Sequence, residues 1–187
     1  KNNHLLNVSY ILFVGRFTKI KGPDMLLNAF LKIHKDFPML NLVFIGPDEG
    51  MKNQLEEETK KNLLSHKVHF LGYVSREEKS SIIRGSKFVV IPSRKEAMSI
   101  VVLEAGISGK PALMTDQCGF DELEKMKGGL IAEANSESIS CGLKKMLSQG
   151  NLNKMGSNLK KEVLKKYLWS KVADSHVENY KKVIGVL

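Results

Sequence analysis

Two glutamates, Glu96 and Glu104, have seven residues between them in the stretch SRKEAMSIVVLEAG, which covers residues 93–106. The second glutamate directly follows an unbroken apolar run, Ile100 to Leu103. Removing a carboxylate from water is expensive unless the carboxylate is paired, so Glu104 needs hydrogen-bond donors. A lysine, a backbone amide or the hydroxyl pair of a bound ligand would each supply them. Glu96 precedes the run in a predicted loop, where a ligand can reach it.

The apolar run predicts a helix that begins at Met98 or Ser99. It has no polar stripe through Ala105, so we expect this helix to be buried on most sides. At its start, the free N–H groups of Ser99, Ile100 and Val101 would form an anion site. The stretch thus offers a carboxylate, a phosphate seat and a second carboxylate in that order, which suits a sugar, a diphosphate and a ribose.

A second candidate loop, GRFTKIKG, covers residues 15–22 and follows a predicted strand. Its Arg16 and Lys21 suit a phosphate or diphosphate, since a guanidinium and an ammonium both bind phosphate oxygens. Taken alone, this stretch is better explained as an ordinary solvated basic loop. The G-x-G-x-x-G and P-loop fingerprints do not occur, which disfavours a dinucleotide dehydrogenase and a P-loop nucleotidase.

The elements that must position these residues alternate between short apolar strands and longer helices. Such strands indicate a parallel sheet covered on both faces, hence a doubly wound, Rossmann-like α/β fold. Ligands bind such sheets at the carboxyl ends of the strands, so the loops after residues 15, 46, 73, 93 and 115 matter most. Trp169 is expected to anchor the last helix in the core. The predicted strands are 10–15, 42–46, 68–74, 87–93, 111–115 and 128–132, and the other predicted helices are 22–37, 49–65, 75–84, 136–149, 151–167 and 170–184.

The composition is that of one globular domain over residues 1–187, with 42% hydrophobic and 26% charged residues. The net charge of +9 is compatible with nucleic acid, anionic lipid or an anionic small substrate. The lysines are scattered and no aromatic-interleaved basic patch occurs, so no nucleic-acid partner is expected. Cys118 and Cys141 match neither a metal-ligand spacing nor a disulfide framework, and no targeting segment is visible, so a reducing, cytoplasmic compartment is expected.

Five segments in order resemble a known family. The spacing of Glu96 and Glu104 resembles the E-x7-E motif of retaining glycosyltransferases with the GT-B fold, in particular glycosyltransferase family 4, the glycosyl transferases group 1. The stretches ILFVGRFTKIKG, LVFIGPDEG, VHFLGYVSREE and YLWSKVADSHVENYKKV resemble other segments of that family. Each match is weak by itself, but their order and spacing extend over nearly the whole chain.

The resemblance implies a role for each matched position. Arg16 and Lys21 would neutralise the donor diphosphate, and Glu104 would hold the ribose hydroxyls. Glu96 would lie beside the donor sugar as the catalytic residue, and the backbone around Val74 would meet the base. No metal and no other cofactor are expected, because cationic side chains and the helix terminus replace the usual cation. The implied nucleotide-sugar-binding set is Gly15, Arg16, Lys21, Val74, Ser99, Ile100, Val101 and Glu104.

The chain also departs from the family pattern. Glu96-Ala97-Met98-Ser99 stands where the family often has Glu-Gly-Phe-Gly, which leaves the sugar open, and Asp121 replaces a usual proline. The resemblance places the chain as the C-terminal, donor-binding half of the fold, without the N-terminal acceptor domain. Its partners would then be a nucleotide-sugar donor, that N-terminal domain and a glycan or lipid-linked acceptor of polysaccharide biosynthesis. The isolated domain is expected to bind nucleotide but to transfer little or no sugar.

Two alternatives remain open. One is a sugar-nucleotide epimerase of the same fold, which the E-x7-E spacing disfavours. The other is a basic module that binds nucleic acid or an anionic membrane, whose affinity would fall steeply with salt. A basic surface is also compatible with peripheral docking at the inner membrane face beside a lipid-linked acceptor.

Overall fold

A computed structural model describes residues 8–148 and 150–185, and in it six strands form one parallel sheet in the order β3-β2-β1-β4-β5-β6. This order is that of a doubly wound sheet, so the predicted fold class is confirmed. Because β1 and β4 are neighbours, the chain leaves β1 in one direction and returns on its other side. The strands are β1 Ser9–Val14, β2 Leu40–Ile45, β3 Val68–Gly72, β4 Val89–Ile91, β5 Ala112–Thr115 and β6 Gly129–Ala132.

Eight helices occur within the described residues. All the predicted helices are present, and the short α5 was not predicted. Residue 149, the predicted end of the helix over 136–149, lies outside the described residues. The helices are α1 Pro23–Ile33, α2 Lys52–Lys61, α3 Arg76–Gly85, α4 Ile100–Ile107, α5 Glu122–Lys125, α6 Ser136–Ser148, α7 Leu152–Lys166 and α8 Trp169–Val183.

The core is divided by the sheet into two apolar layers. Side chains of a strand point alternately to its two faces, so Ile11 and Phe13 enter one layer while Leu12 enters the other. In the first layer, Phe44 stacks on Phe70 with ring centroids 5.0 Å apart. Both faces of the central strands are therefore buried, which explains why the sequence shows continuous apolar runs instead of an alternating pattern.

The predicted extent of the first helix was wrong at its C-terminal end. The helix was expected to reach residue 37, but α1 ends at Ile33 and residues 34–36 form a turn. Pro38 explains the early end, because a proline disfavours the helical conformation of the residue before it. The shorter helix leaves room for the connection to enter β2 at Leu40.

The prediction that Trp169 anchors the core was also wrong, since its side chain is 88% exposed. No residue of α8 is buried, although apolar residues recur at helical spacing along it. α8 packs against α7, but its apolar face has no cover within the described part of the chain. The exposed apolar side chains of this face are Trp169, Val177, Tyr180 and Val183.

Candidate functional site

The loops that follow β1 and β4 meet at the point where the strand order reverses. β1 pairs with both β2 and β4, and its carboxyl end leads into Gly15 and Arg16. The carboxyl end of β4 leads into Pro92 and Ser93, just ahead of Glu96. In an open parallel sheet this reversal produces the crevice in which ligands bind. The topology thus brings the two candidate loops of the sequence to one place.

An ion-pair network locks these two loops together. The Arg94 guanidinium donates from both terminal nitrogens to the Asp24 carboxylate, with each N–O distance 2.8 Å. Lys19 donates to the same carboxylate at 2.7 Å. Gly22, with φ of 68°, lies so close to the loop after β4 that a Cβ atom would stand 2.0 Å from the Pro92 carbonyl oxygen. The relative position of the loops is therefore set by contacts that join residues about 70 apart in sequence.

The charge of Asp24 is expected to make this ion-pair network sensitive to acid. Burial alone would raise the pKa of Asp24, but hydrogen bonds from Arg94 and Lys19 outweigh it and hold the pKa below its usual value. A lowered folded-state pKa gives stability that is present above the unfolded pKa, near 3.9, and is lost as pH falls through the folded value. Urea unfolding between pH 7 and pH 2 should therefore show that Asp24→Asn flattens the decline in free energy of unfolding below about pH 4.

The matched control for this prediction is Asp174→Asn on exposed α8. It should leave the decline unchanged. If the free energy of unfolding falls equally steeply with pH in wild type and in Asp24→Asn, the acid sensitivity does not come from this ion-pair network.

Glu96 is held from two sides at the mouth of the crevice. The Ser93 hydroxyl donates to one oxygen of its carboxylate, and the Lys21 ammonium lies 3.1 Å from the other. The Glu96 side chain is 10% exposed and that of Lys21 is 24% exposed. The predicted sugar-side carboxylate and the predicted diphosphate lysine are thus direct partners.

Backbone hydrogen bonds join the loop after β5 to the loop that contains Glu96. The Glu96 amide donates to the Gln117 carbonyl at 2.8 Å, and the Ser99 amide donates to the Cys118 carbonyl at 3.1 Å. The Cys118 side chain is fully buried, which raises the pKa of its thiol and makes it a packing residue. Ser99 was predicted to offer a free N–H to an anion. That part of the prediction was wrong, because the Cys118 carbonyl takes this N–H.

Helix α4 is less buried than predicted. Ile100 is 69% exposed and Ile107 is 48% exposed, whereas Val102 and Ala105 are fully buried. The expectation of burial on most sides was wrong at the two ends of α4. The helix packs against β4, β5, α3 and α7, but Ile100 and Ile107 remain exposed. As first-turn groups, the amides of Ile100 and Val101 have no acceptor within the helix, so they retain the capacity to bind an anion.

Glu104 accordingly keeps some contact with water, and its side chain is 31% exposed. The donor that it requires is Lys79 of α3, whose ammonium nitrogen lies 2.5 Å from Glu104 Oε1. Among the alternatives left open by the sequence, the structure thus places a protein lysine on one carboxylate oxygen. A pair this exposed contributes about 0–1 kcal/mol to stability, so its main consequence is the orientation of the carboxylate.

A cavity of about 370 Å³ opens beside these loops. It brings together three residues of the predicted set, Gly15, Arg16 and Val74, and adds Arg76 and Lys79. Lys21, Glu96, Glu104 and the start of α4 lie outside its lining. A larger cavity of about 450 Å³ runs between α2 and the edge strand β3, far from the strand reversal. The smaller cavity is the better ligand site, because it lies at the carboxyl ends of β1 and β2.

Arg16 differs from the prediction in having a protein partner. Its guanidinium contacts both carboxylate oxygens of Glu49, at 3.0 and 3.2 Å. Both side chains are largely exposed, so water competes for this pair and an incoming phosphate can displace Glu49 at low cost.

Lys79 and Ser93 were not identified as site residues from sequence. Lys79 lies 25 residues before Glu104, in a different helix, so no local sequence pattern pairs the two residues. Ser93 lies three residues before Glu96, and this short separation was the only available signal.

No group of three or more His, Cys, Asp or Glu side chains that could hold a metal ion occurs within residues 8–148 and 150–185. Within the same ranges, no helix has the length and apolar character needed to cross a membrane.

Comparison with known proteins identifies the family of the chain. The family model of glycosyl transferases group 1 matches residues 1–163. An uncharacterized glycosyltransferase of Methanocaldococcus jannaschii is 34% identical over 174 residues, which are 91% of this chain and 44% of that protein. The D-inositol 3-phosphate glycosyltransferase of Corynebacterium urealyticum is 28% identical and again matches over 44% of its length. The chain therefore spans less than half the length of these curated relatives.

Solved structures support the fold. The C-terminal domain of a glycosyl transferase group 1 family protein from Francisella tularensis has a TM-score of 0.79 and 24% identity, with 90% of this chain and 94% of that chain covered. The Anabaena protein HepE, in complex with UDP, has a TM-score of 0.84 and 18% identity, with 96% and 50% covered. Since the family model covers most of the chain and the fold agrees, this chain belongs to the glycosyl transferases group 1 family.

Proposed function

We propose that this chain binds a nucleoside-diphosphate sugar and is the donor-binding domain of a retaining glycosyltransferase. The observation that carries the proposal is the position of Glu96, which is held by Lys21 at 3.1 Å in the loop directly ahead of the start of α4. A sugar at Glu96 would have its phosphates within reach of both the lysine and the helix terminus. The family and the cavity beside β1 support the same interpretation.

The diphosphate would be neutralised by Arg16, Lys21 and the free amides of Ile100 and Val101. Two cationic side chains and a helix N-terminus supply positive charge where a metal ion would otherwise be needed, so we infer no metal. Phosphate binding would leave Lys21 between the diphosphate and Glu96, in contact with both negative groups.

The same groups suit the chemistry of transfer. When the bond between the sugar's anomeric carbon and the phosphate oxygen breaks, its electron pair goes to the diphosphate. Lys21, Arg16 and the helix terminus stabilise the charge that develops there. An acceptor hydroxyl of a glycan or a lipid-linked saccharide then bonds to the anomeric carbon, and its proton passes to the departing diphosphate oxygen. Glu96 lies beside this carbon, where its charge stabilises the positive character of the sugar.

Transfer would require a second, acceptor-binding domain in addition to this chain. The exposed apolar face of α8, which includes Trp169, Val177 and Tyr180, is a suitable surface for that domain. The chain alone is therefore proposed to bind the donor nucleotide and to transfer little sugar.

Isothermal titration calorimetry of this chain with UDP, GDP and ADP tests the proposal. One of the three diphosphates is expected to bind saturably at a ratio of one to one and more tightly than the other two. UDP is the first ligand to test, because the similar HepE structure contains it. A lack of saturable binding for all three would contradict the proposal.

Titration with a single-stranded oligonucleotide and with the diphosphate, each at 50 and 200 mM salt, distinguishes a nucleotide pocket from a basic module. A protein that binds a nucleic-acid backbone through many phosphates loses about 10³- to 10⁵-fold in affinity over this range. A pocket that also contacts ribose and base should lose far less.

A further inference from the structure

Lys79 connects the candidate nucleotide cavity to Glu104. Its ammonium lies 2.5 Å from Glu104 Oε1, and its side chain also lines the cavity beside Gly15 and Val74. Glu104 itself is not part of that lining. Lys79 is therefore the residue through which the second glutamate of the E-x7-E spacing contacts the cavity wall.

The cap at the start of α3 fixes the backbone of Lys79. Ser75 and Glu78 form a reciprocal cap, in which the Ser75 hydroxyl accepts from the Glu78 amide at 3.2 Å and Glu78 Oε2 accepts from the Ser75 amide at 3.0 Å. The Lys79 amide then donates to the Ser75 carbonyl at 2.8 Å. Val74, whose backbone was predicted to contact the nucleotide base, directly precedes this cap. The first turn of α3 therefore fixes the backbone of both Val74 and Lys79.

The ion pair leaves one carboxylate oxygen for a ligand. Glu104 Oε1 is taken by Lys79, and within the described residues Oε2 has no hydrogen-bond partner. A carboxylate on a flexible side chain must be immobilised before it can accept hydrogen bonds from a ribose, and this ordering reduces affinity. An ammonium that already restrains the carboxylate removes part of that cost.

We propose that Lys79 is a positioning residue of the donor site, which holds Glu104 so that Oε2 can accept from the ribose hydroxyls. This inference rests on the proposed function. Two other cations near the cavity act differently, since Arg16 pairs with Glu49 and Arg76 has no ion pair within the described residues. Lys79 is the cavity-lining cation that contacts a predicted ribose ligand.

The test compares a nucleoside diphosphate with its 2′,3′-dideoxy counterpart, using the base that wild type binds best. Lys79→Met keeps the length of the side chain but removes the ammonium. This substitution should weaken binding of the ribose form about 3- to 10-fold, because the Glu104 side chain is then no longer ordered before the ligand binds. Affinity for the dideoxy form should change less than about twofold. Lys79→Arg, which keeps a cation, should recover most of the affinity.

Arg76→Met is the matched control, because it removes a cation from the same cavity without touching Glu104. It should affect the ribose and dideoxy forms to the same degree. Thermal unfolding of each variant checks that the fold is retained.

Equal weakening of both ligand forms by Lys79→Met would overturn the inference, since Lys79 would then act only as a charge for the phosphates. Unchanged affinity for both forms would overturn it as well. If wild type binds neither form, the proposed function itself fails, whereas the Lys79 results in a binding wild type decide this inference alone.

Discussion

Replacing Glu104 with alanine is expected to weaken nucleoside-diphosphate binding by about 10- to 100-fold. Hydrogen bonds to a charged group contribute about 1.5–3 kcal/mol each, and every 1.4 kcal/mol corresponds to a factor of ten in the dissociation constant. The substitution removes the carboxylate that is proposed to face the ribose and also leaves the Lys79 ammonium without its partner. Titration calorimetry of wild type and variant measures the effect directly.

Two further variants show whether this loss is specific. Glu104→Gln keeps the shape and one oxygen acceptor, so its affinity should lie between those of wild type and Glu104→Ala. Glu57→Ala removes an exposed carboxylate on α2 and should change nothing. If Glu104→Ala binds as well as wild type does, the ribose assignment of Glu104 is incorrect.

Replacing Gly119 with alanine is expected to lower the free energy of unfolding by about 2–4 kcal/mol, from backbone strain and a steric clash together. Gly119 has φ of 62°, which a residue with a Cβ atom rarely adopts, and that Cβ would stand 1.8 Å from the Ala97 carbonyl oxygen. The Glu96 loop cannot move away freely, because the Glu96 and Ser99 amides donate to the same supporting loop. Urea unfolding measures the loss, and nucleotide binding should weaken with it.

Gly109→Ala separates the two causes. Gly109 also has positive φ, 72°, but a Cβ there would meet no atom within 4 Å. It should cost only the strain of the left-handed conformation, about 1–2 kcal/mol, and should leave nucleotide affinity unchanged. Equal stability losses in the two variants would show that the contact with Ala97 does not constrain the Glu96 loop.

Much of the fold was accessible from sequence because apolar runs and helical periods are local signals. The six strands were predicted from short, continuous apolar runs, and all helices but α5 from stretches long enough to show the helical period. α5 spans only Glu122–Lys125, which is too short to show any period. The end of α1 was missed because the apolar pattern continues to Phe37, whereas Pro38 disfavours a helix that reaches that residue.

The candidate site was predictable in its parts but not in its pairings. The spacing of Glu96 and Glu104, and the loop with Arg16 and Lys21, identified where chemistry could occur. The sequence did not reveal that Lys21 pairs with Glu96, because these residues are 75 positions apart. The exposure of α4 was misjudged for a related reason. A helix that is apolar all round does not indicate which face a neighbouring layer will cover.

The sequence by itself determined the class of fold, the order of its elements and the residue types available at the carboxyl ends of the strands. These depend on interactions between residues close in the chain and on the burial of apolar side chains. The tertiary structure alone decided which charges became partners, such as Lys79 with Glu104 and Arg94 with Asp24. Partner choice depends on distances between elements that are far apart in sequence, and those distances exist only once the sheet and its helices have packed.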